Sequence, residues 1–466
     1  MAEALHQGDD SHTELIRSGN LVSLFFKFAV PAVLAMIMVG LYQFVDAIFV
    51  GQFVGPEGMG AVSLVYPISL INMAVSGLIG VGSSSFLSRA IGRKDKEKIK
   101  KIFTHLVILN VIINILIMII GWNTASRLLV LFGGEGQILD YGISYTRIML
   151  FGMFIANFGV SLNLMIRAEG RMRAAMLILS SGAIVNLILD PVFIIVFGLD
   201  VKGAGIATVI GQFCTAIISL IYMEKAQTLV PVHFSFKFFD WKIIKDVLAV
   251  GFSAMVLPLF TIVEIAVEFV LIQKYAGMNE LLVFGVVMRL LILYIPPIWG
   301  IAQGLQPIIG INSGAGDHER VKKALIVFTI GGTVVAILLW IPVVFIPKTV
   351  LSWFITDPAV VEAGGYVPRL FLLLLPLYAI LFNAIGYFQA AGKAISAAIL
   401  VSCRMLIFYV PLQFLFTGLF GAAGLWYCNP GTDAVSLVLV FFLILFHWKR
   451  GELTGKELPR SQNTVK

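Results

Sequence analysis

The sequence predicts an all-α integral membrane protein with 12 transmembrane helices in two six-helix lobes, related by pseudo-twofold symmetry along the membrane normal. Three observations support this fold class. The chain of 466 residues is 59% hydrophobic and only 13% charged, whereas a soluble domain has about 45–50% apolar and about 25% charged residues. Basic residues recur in alternate connections between apolar segments, and the two halves of the sequence resemble each other at a fixed offset.

Twelve apolar segments are each long enough to cross a bilayer, which takes about 20 residues for about 30 Å of hydrocarbon. Numbered as spans 1 to 12, they are predicted at residues 24–50, 61–87, 101–122, 142–166, 174–196, 203–223, 246–273, 281–311, 324–346, 365–388, 394–417 and 420–446. The predicted organisation is an N-terminal segment (1–20), a first lobe (21–223), a linker (224–245), a second lobe (246–446) and a C-terminal tail (447–466).

Basic residues indicate which loops face the cytoplasm. The connection after span 2, SRAIGRKDKEKIKK, is strongly basic; the one after span 4 holds Arg167, Arg171 and Arg173, and spans 8 and 12 are also followed by Lys and Arg. The connection 51–60 has no basic residue. Because basic loops stay in the cytoplasm, we predict a multi-pass protein of the cell (inner) membrane with both termini cytoplasmic. This topology accounts for the net charge of +7, so no nucleic-acid partner is expected.

An internal repeat relates the two halves. The same residue recurs 222 positions later at several places, pairing Gly55 with Gly277, Gly92 with Gly314, Asp95 with Asp317 and Arg147 with Arg369. The tetrapeptides RAEG and QAAG, which end at Gly170 and Gly392, keep this offset. Six spans return the chain to the same side of the membrane, so the halves are parallel repeats. Transporters use this arrangement for alternating access.

Acidic residues within the spans are the first candidate functional residues, because a charge in hydrocarbon is costly and usually functional. Asp46 lies four residues before the predicted outer end of span 1, near Val50, and Asp190 lies near the outer end of span 5. Thr208 lies about one turn below the outer end of span 6. Asn186 precedes Asp190 by four residues and shares its helix face. These four side chains are predicted to meet in the outer half of the first lobe.

This set of side chains suits either of two coupling ions. Two carboxylates with an amide and a hydroxyl oxygen can coordinate Na+, a hard cation. The same carboxylates, crowded in a medium of low dielectric constant, can instead carry a proton. The residues leave both alternatives open, and they favour an ion-binding role over a purely structural one because burying acids for stability alone is unfavourable.

The second lobe has its own acids, and they do not repeat the first set. Glu264 and Glu268 lie four residues apart on one face of span 7, and the offset of 222 pairs Glu268 with Asp46. The position that matches Asp190, at an offset of 220, is Val410. The two halves are therefore predicted to be functionally unequal, with the richer acidic site in the first.

Two further charges lie about half-way along consecutive spans, Arg404 in span 11 and Asp433 in span 12. An unpaired Arg at that depth is costly, so we expect them to form a buried ion pair or to share a water-filled cavity. The three cysteines, Cys214, Cys403 and Cys428, all lie in apolar segments and fit neither a disulfide framework nor a metal site. No metal other than a coupling Na+ is predicted.

In their order and spacing, several segments resemble the multidrug and toxic compound extrusion (MATE) family, most closely its bacterial MepA-type and DinF-like exporters. In the first half these are FAVPAVLAMIMVGLYQFVDAIFVG, SRAIGRKDKEKIKK, RAEGRMRAA, NLILDPVF and GAGIATVIGQ. In the second half they are GIAQGLQPIIGINSGAGDHERVKKA and QAAGKAISAA. The resemblance covers nearly the whole chain and implies the two-lobe fold of that family.

The resemblance also implies roles for individual residues. The first-lobe cation site of the family corresponds to Asp46, Asn186, Asp190 and Thr208, and Tyr42 matches a position that lines the same cavity. The family's helix-7 carboxylate corresponds to Glu264 or Glu268, and which of the two faces the cavity is left open. Branches with that carboxylate often carry a second acid in span 10, which is absent here, so a complete second-lobe cation site is not expected.

The implied function is secondary active multidrug efflux, in which Na+ or H+ is exchanged for amphipathic, cationic organic compounds by a monomer in the bilayer. No catalytic motif or nucleotide-binding loop is present, so neither an enzyme nor a cofactor is predicted. The alternative is a flippase for lipid-linked precursors, a kind of transporter that shares the two-lobe plan. Such a flippase should line its cavity with several basic residues, whereas Arg404 is essentially the only mid-membrane base in the predicted spans.

Overall fold

The computed structural model describes residues 12–226, 228–355 and 357–451. Within these ranges, 12 helices are long and apolar enough to cross a membrane, as the sequence predicts. We label them α1 to α12: Leu21–Val54, Pro56–Gly92, Lys96–Leu131, Gly136–Ala168, Met172–Val196, Asp200–Lys225, Trp241–Tyr275, Met278–Gly314, His318–Phe345, Pro358–Ala390, Ala394–Phe420 and Ala423–Lys449. Residues 1–11 and 452–466 of the predicted terminal segments lie outside the described residues.

Most of the helices begin at a capping residue that lies several positions before the predicted apolar segment. Asp95 and Asp317, repeat partners, cap α3 and α9, and each Oδ1 accepts a first-turn backbone N–H, at 3.2 and 2.9 Å. A hydrogen bond from Lys98 also holds the pKa of the Asp95 carboxyl below its ordinary value. The residues just before these caps, Lys94 and Gly316, both have positive φ, 55° and 77°. The repeat therefore extends to the backbone of this turn.

The helices form two sets of six that meet along four of them. In the first set, α1 packs on α5, both α2 and α3 pack on α4, and α6 packs on α4 and α5. In the second set, α7 packs on α11, α8 packs on α9 and α10, and α11 packs on α12. Between the sets, α1 packs on α8, and α2 packs on both α7 and α8. The pair α1–α8 and the pair α2–α7 correspond to each other under the repeat, as a pseudo-twofold axis between the lobes requires.

The sequence predicts one continuous apolar segment at 365–388, but α10 is interrupted. It consists of Pro358–Gly364, Val367–Phe371, a 3₁₀ turn at Leu375–Leu377, and Tyr378–Ala390. Pro368 and Pro376 have no backbone N–H and cannot complete the helical hydrogen bonds. Hydropathy alone does not reveal such breaks, because proline interrupts the helix without making the segment polar.

Four of the spanning helices contain a wider π-helical turn. These turns lie at Val50–Val54 in α1, Gly77–Val81 in α2, Val192–Val196 in α5 and Cys403–Phe408 in α11. Such turns are rare and occur frequently at functional sites. Three of them lie at or directly beyond the charged residues that the sequence singles out, in α1, α5 and α11.

The segment between the lobes is shorter than the predicted linker 224–245, since α6 continues to Lys225 and α7 begins at Trp241. It is fastened to the first lobe at several points. The backbone N–H of Asp240 donates to Nε2 of His105 at 2.8 Å, and that of Val230 donates to Oε1 of Glu169 at 3.2 Å. The connection therefore packs against the ends of α3 and α4.

Candidate functional site

The four oxygen-bearing residues predicted to meet in the first lobe do lie together. Nδ2 of Asn186 is 3.3 Å from Oδ1 of Asp190 and 3.4 Å from Oγ1 of Thr208. Asp190 is fully buried, and Asp46 lies within electrostatic range of it. We call Asp46, Asn186, Asp190 and Thr208 the first-lobe cluster. It is formed by α1, α5 and α6, which pack on one another.

Asp46 and Thr208 of the first-lobe cluster lie about one turn further from the ends of their helices than the sequence indicates. Asp46 is eight residues before the end of α1 at Val54, rather than four, and Thr208 is eight residues after the start of α6 at Asp200. The apolar run of span 1 ends at Val50, but the helix continues through a π-helical turn to Gly55, where φ is 92°. The prediction of a shared depth is unaffected, because both helices are longer at the same end.

Two tyrosines complete the surroundings of this cluster. Tyr42, one turn before Asp46, lines a cavity of 140 Å³ together with Asn186 and Thr208. Tyr145 of α4 is buried and lies within electrostatic range of Asp46. Sequence reasoning missed Tyr145, because the position 222 residues later is a valine and no repeat marks it.

The chemistry of the first-lobe cluster is that of hard oxygen donors. Among the described residues, Asp46 Oδ1, Asn186 Oδ1 and Asp190 Oδ2 are buried and have no hydrogen-bond partner. With the hydroxyl of Thr208 they form a donor set that suits Na+, and the two carboxylates equally suit a proton. Within the same ranges, no group of three or more His, Cys, Asp or Glu side chains is placed to hold a metal ion.

In the second lobe, the two glutamates of α7 have different surroundings. The hydroxyl of Tyr409 donates to Oε1 of Glu268, and Nε2 of Gln413 donates to the Tyr409 oxygen at 3.0 Å. Glu264 instead lies within electrostatic range of Arg404, and its Oε1 has no hydrogen-bond partner among the described residues. Glu268 is therefore held by α11, whereas Glu264 faces charged groups.

Arg404 donates two hydrogen bonds to one carboxylate oxygen of Asp433. Oδ1 of Asp433 lies 2.9 Å from Nη2 and 3.3 Å from Nε of Arg404, and both side chains are largely buried. The Arg404 guanidinium also lies 5.8 Å from the centre of the Tyr378 ring. Arg404 belongs to the π-helical turn of α11, and Asp433 lies three residues after Pro430 in α12. α11 thus departs from regular α-helical geometry where it meets α12.

A central cavity of 220 Å³ lies between the two lobes. Its walls are mainly apolar and include Met36, Met73, Leu257 and Trp299. At one end the lining becomes polar, with Arg167, Gln303, Gln306 and Gln389. We call these four residues the polar floor. A compound that entered this cavity would meet a hydrophobic wall and a hydrogen-bonding end.

Hydrogen bonds within the second lobe and between the two lobes hold the polar floor together. Nη1 of Arg167 donates to Oε1 of Gln303, which lies on α8. Nε2 of Gln306 donates to Oε1 of Gln389 at 3.1 Å, and the Ser85 hydroxyl of α2 donates to the Gln389 carbonyl oxygen at 2.6 Å. The cavity is therefore closed at this end by side chains from both lobes.

The assignment of Arg167 to the loop after span 4 is wrong. Arg167 lies in the last turn of α4 and is only 5% exposed. The apolar run of span 4 ends at residue 166 because Arg is polar, yet the helix continues to Ala168. A signal was present in the repeat, since RAEG pairs with QAAG and thereby Arg167 with Gln389. Both repeat partners line the same floor.

The fold and these sites define a class of protein. Twelve spanning helices, two related lobes and a solute-sized cavity between them are the features of a membrane transporter that works by alternating access. The MatE family model matches residues 31–192 and 253–415, two segments that start 222 residues apart. The chain therefore belongs to the MatE family, the multidrug and toxic compound extrusion transporters, and it is not an enzyme.

Individual relatives cover most of the chain. It is 26% identical over 400 residues to the multidrug export protein MepA of Staphylococcus aureus, which covers 85% of this chain and 87% of the relative. It superposes on an outward-facing multidrug resistance MATE family transporter with a TM-score of 0.87 and 25% identity, over 94% and 98% of the two chains. It also superposes on a transporter from Pyrococcus furiosus that is described as having a binding pocket of reverse polarity. The TM-score is 0.86 and the identity 25%, over 94% of this chain and 98% of that one.

Proposed function

We propose that the protein is a secondary active exporter that exchanges Na+ or H+, bound at the first-lobe cluster, for amphipathic organic compounds. The observation that carries this proposal is the set of buried carboxylate and amide oxygens that have no hydrogen-bond partner among the described residues. Buried acids without partners are unfavourable unless a cation or proton completes them. The similarity to MepA, a multidrug export protein, supports organic compounds as the cargo.

The geometry of α1 offers a way to couple ion and cargo. Asp46 belongs to the first-lobe cluster, and Met36, almost three turns earlier on the same helix, lines the central cavity. Val39 and Leu179 line both the central cavity and the smaller cavity beside Tyr42. A change in ion occupancy at Asp46 therefore acts on residues that a bound compound also touches. This shared wall makes competition between ion and cargo the simplest coupling scheme.

The proposed orientation follows from the basic loops. The polar floor lies near the ends of α2, α4 and α8, the ends from which Lys- and Arg-rich connections lead. Because such connections stay in the cytoplasm, the closed end of the cavity faces the cell interior and both termini are cytoplasmic. We further propose a monomer in the bacterial cell membrane, with a first lobe at 21–223 and a second at 246–446.

A flippase for lipid-linked precursors is the second candidate, and Arg167 is the observation that favours it. A base in the central cavity could contact an anionic headgroup, and one neighbour in structure is described as having a pocket of reverse polarity. However, Arg167 is the only Lys or Arg among the residues that line this cavity. A multiply charged headgroup requires several bases, so the exporter is the better proposal.

Transport in proteoliposomes tests the proposal. The purified protein should drive uptake or release of a fluorescent organic cation when a Na+ or pH gradient is imposed, and Asp46→Asn should abolish this movement. A gradient of one ion alone should suffice, which identifies the coupling ion. If dye movement did not respond to either gradient, while a labelled polyprenyl phosphate was translocated, the flippase would be the correct function.

A further inference from the structure

We propose that Arg167 binds a carboxylate of the transported compound, so that the central cavity selects zwitterionic amphiphiles that carry a free carboxylate. This inference rests on the proposed export function and specifies its cargo. The first observation is the isolation of the Arg167 charge: among the described residues, no carboxylate lies within ion-pairing distance of its guanidinium. Its hydrogen-bond acceptors are two neutral amide oxygens, those of Asn163, 3.0 Å from Nε, and of Gln303.

Two acids at this end of the lobe interface are occupied by other groups. Glu169, two residues later, lies 3.5 Å from Nε of Arg171 and accepts the backbone N–H of Val230. Asp246 lies 3.1 Å from Nη2 of Arg89, the other arginine at this end of the lobe interface. The chain therefore provides a carboxylate for Arg89 but leaves the more deeply buried Arg167 with amides.

The helix itself neutralises only part of this charge. Arg167 lies in the last turn of α4, where the helix dipole supplies the equivalent of roughly half a negative charge. A guanidinium that is 5% exposed in a membrane protein is costly without a full counter-charge. A buried arginine without a full counter-charge is suited to the reversible binding of an anion. Its planar fork matches a carboxylate in two parallel hydrogen bonds.

The rest of the cavity selects the remainder of the compound. Met36, Met73, Leu257 and Trp299 form an apolar wall beside the floor, which suits a planar or aliphatic body. A cavity of 220 Å³ with one charge at its end fits a compound with one carboxylate rather than a multiply charged headgroup. A positive group on the same compound would be directed toward the first-lobe cluster, because Asn186 and Thr208 line the smaller cavity, which shares Val39 and Leu179 with the central one.

A matched pair of dyes tests this inference. A rhodamine with a free carboxylate and its methyl ester share one scaffold and one positive charge and differ only in the group that Arg167 would bind. In proteoliposomes, we expect Arg167→Gln to raise the KM for the free acid about tenfold, the loss of one charged hydrogen-bonded contact, and to leave the ester within about twofold. Arg167→Lys, which keeps the charge without the fork, should give an intermediate value.

The control is Arg173→Gln, which removes the same charge from an exposed position on the same side of the protein. It should change neither KM. Fluorescence polarisation of both dyes with the detergent-solubilised protein gives the same comparison when a variant binds but does not transport. An equal loss of affinity for acid and ester in Arg167→Gln would indicate that Arg167 is a structural link between the lobes and would overturn the inference. An unchanged affinity for the acid would overturn it as well. Export of neither dye by the unaltered protein would count against the proposed function, and the binding assay would still decide the role of Arg167.

Discussion

Gly92 of α2 and Gly314 of α8, which are repeat partners, each lie against the backbone of the other's helix. A β-carbon on Gly92 would be 2.0 Å from the carbonyl oxygen of Ile311, and one on Gly314 would be 2.3 Å from that of Arg89. Ile311 is itself 222 residues after Arg89. One close contact is thus made twice across the pseudo-twofold axis, at the end of the interface that carries the polar floor.

This contact predicts that alanine at either glycine separates the lobes. Gly92→Ala and Gly314→Ala should each lower the free energy of unfolding by about 1–3 kcal/mol. Both should also increase the labelling of a cysteine introduced at Gln306 from the side that we propose to be cytoplasmic. Thermal melting and maleimide labelling measure the two effects. Gly285→Ala is the control, because a β-carbon there meets no atom within 4 Å. Labelling that stayed at the level of the control would show that this contact does not close the cavity.

Ile16 predicts a second element of the same closure. It is fully buried, its carbonyl oxygen accepts from Nε of Arg320 at 2.8 Å, and its side chain packs beside Gly170 at the end of the first lobe. Ile16→Ala should therefore lower the free energy of unfolding by about 2–5 kcal/mol and increase cytoplasmic labelling. Val22→Ala, a similar truncation at a side chain that is 55% exposed, should cost much less. Equal melting temperatures for the two variants would contradict this role.

The extent to which the sequence predicts this protein differs between its elements. Spans and repeat follow from residue composition and spacing, because the bilayer restricts each segment to an apolar helix. The contact of Asn186 with Asp190 follows from a spacing of four within one helix. The sequence indicates no function for Arg167 or Ile16, because both lie in polar segments that are predicted to be cytoplasmic. Their burial arises from packing between lobes, for which a single sequence carries no periodic signal.

The first-lobe cluster predicts the effect of removing its acids. Asp46→Asn and Asp190→Asn should each abolish gradient-driven dye export, because an amide can neither carry a proton nor supply a carboxylate ligand to Na+. Expression and melting temperature should remain close to those of the unaltered protein, since Asn keeps the size of the side chain. Efflux that continued at the normal rate in both variants, at equal expression, would reduce these acids to a structural role.

The second lobe provides a comparison for that experiment. Glu264→Gln and Glu268→Gln should each reduce export less than the first-lobe variants do. Glu268 is held by Tyr409, so Glu268→Gln should mainly lower thermal stability, whereas Glu264→Gln should change the response to the charge of the dye. Export assays with one cationic and one neutral dye distinguish the two effects. Loss of all export in Glu264→Gln would indicate that the coupling ion binds in the second lobe.

The buried contact between Arg404 and Asp433 gives the last prediction. Arg404→Met and Asp433→Leu should each lower the free energy of unfolding by about 3–5 kcal/mol, because each leaves one charge without its partner in a medium of low dielectric constant. The double variant should recover most of this loss. Glu264 makes the prediction asymmetric, since it lies within electrostatic range of Arg404 and can partly replace Asp433 as its counter-charge. Asp433→Leu should therefore cost less than Arg404→Met, and the addition of Glu264→Gln should remove that difference. Melting curves on these variants, with a transport assay on the same proteins, separate a structural pair from a functional one. A stable but inactive double variant would assign the pair to transport. Purely additive losses of stability would show that the two charges do not interact.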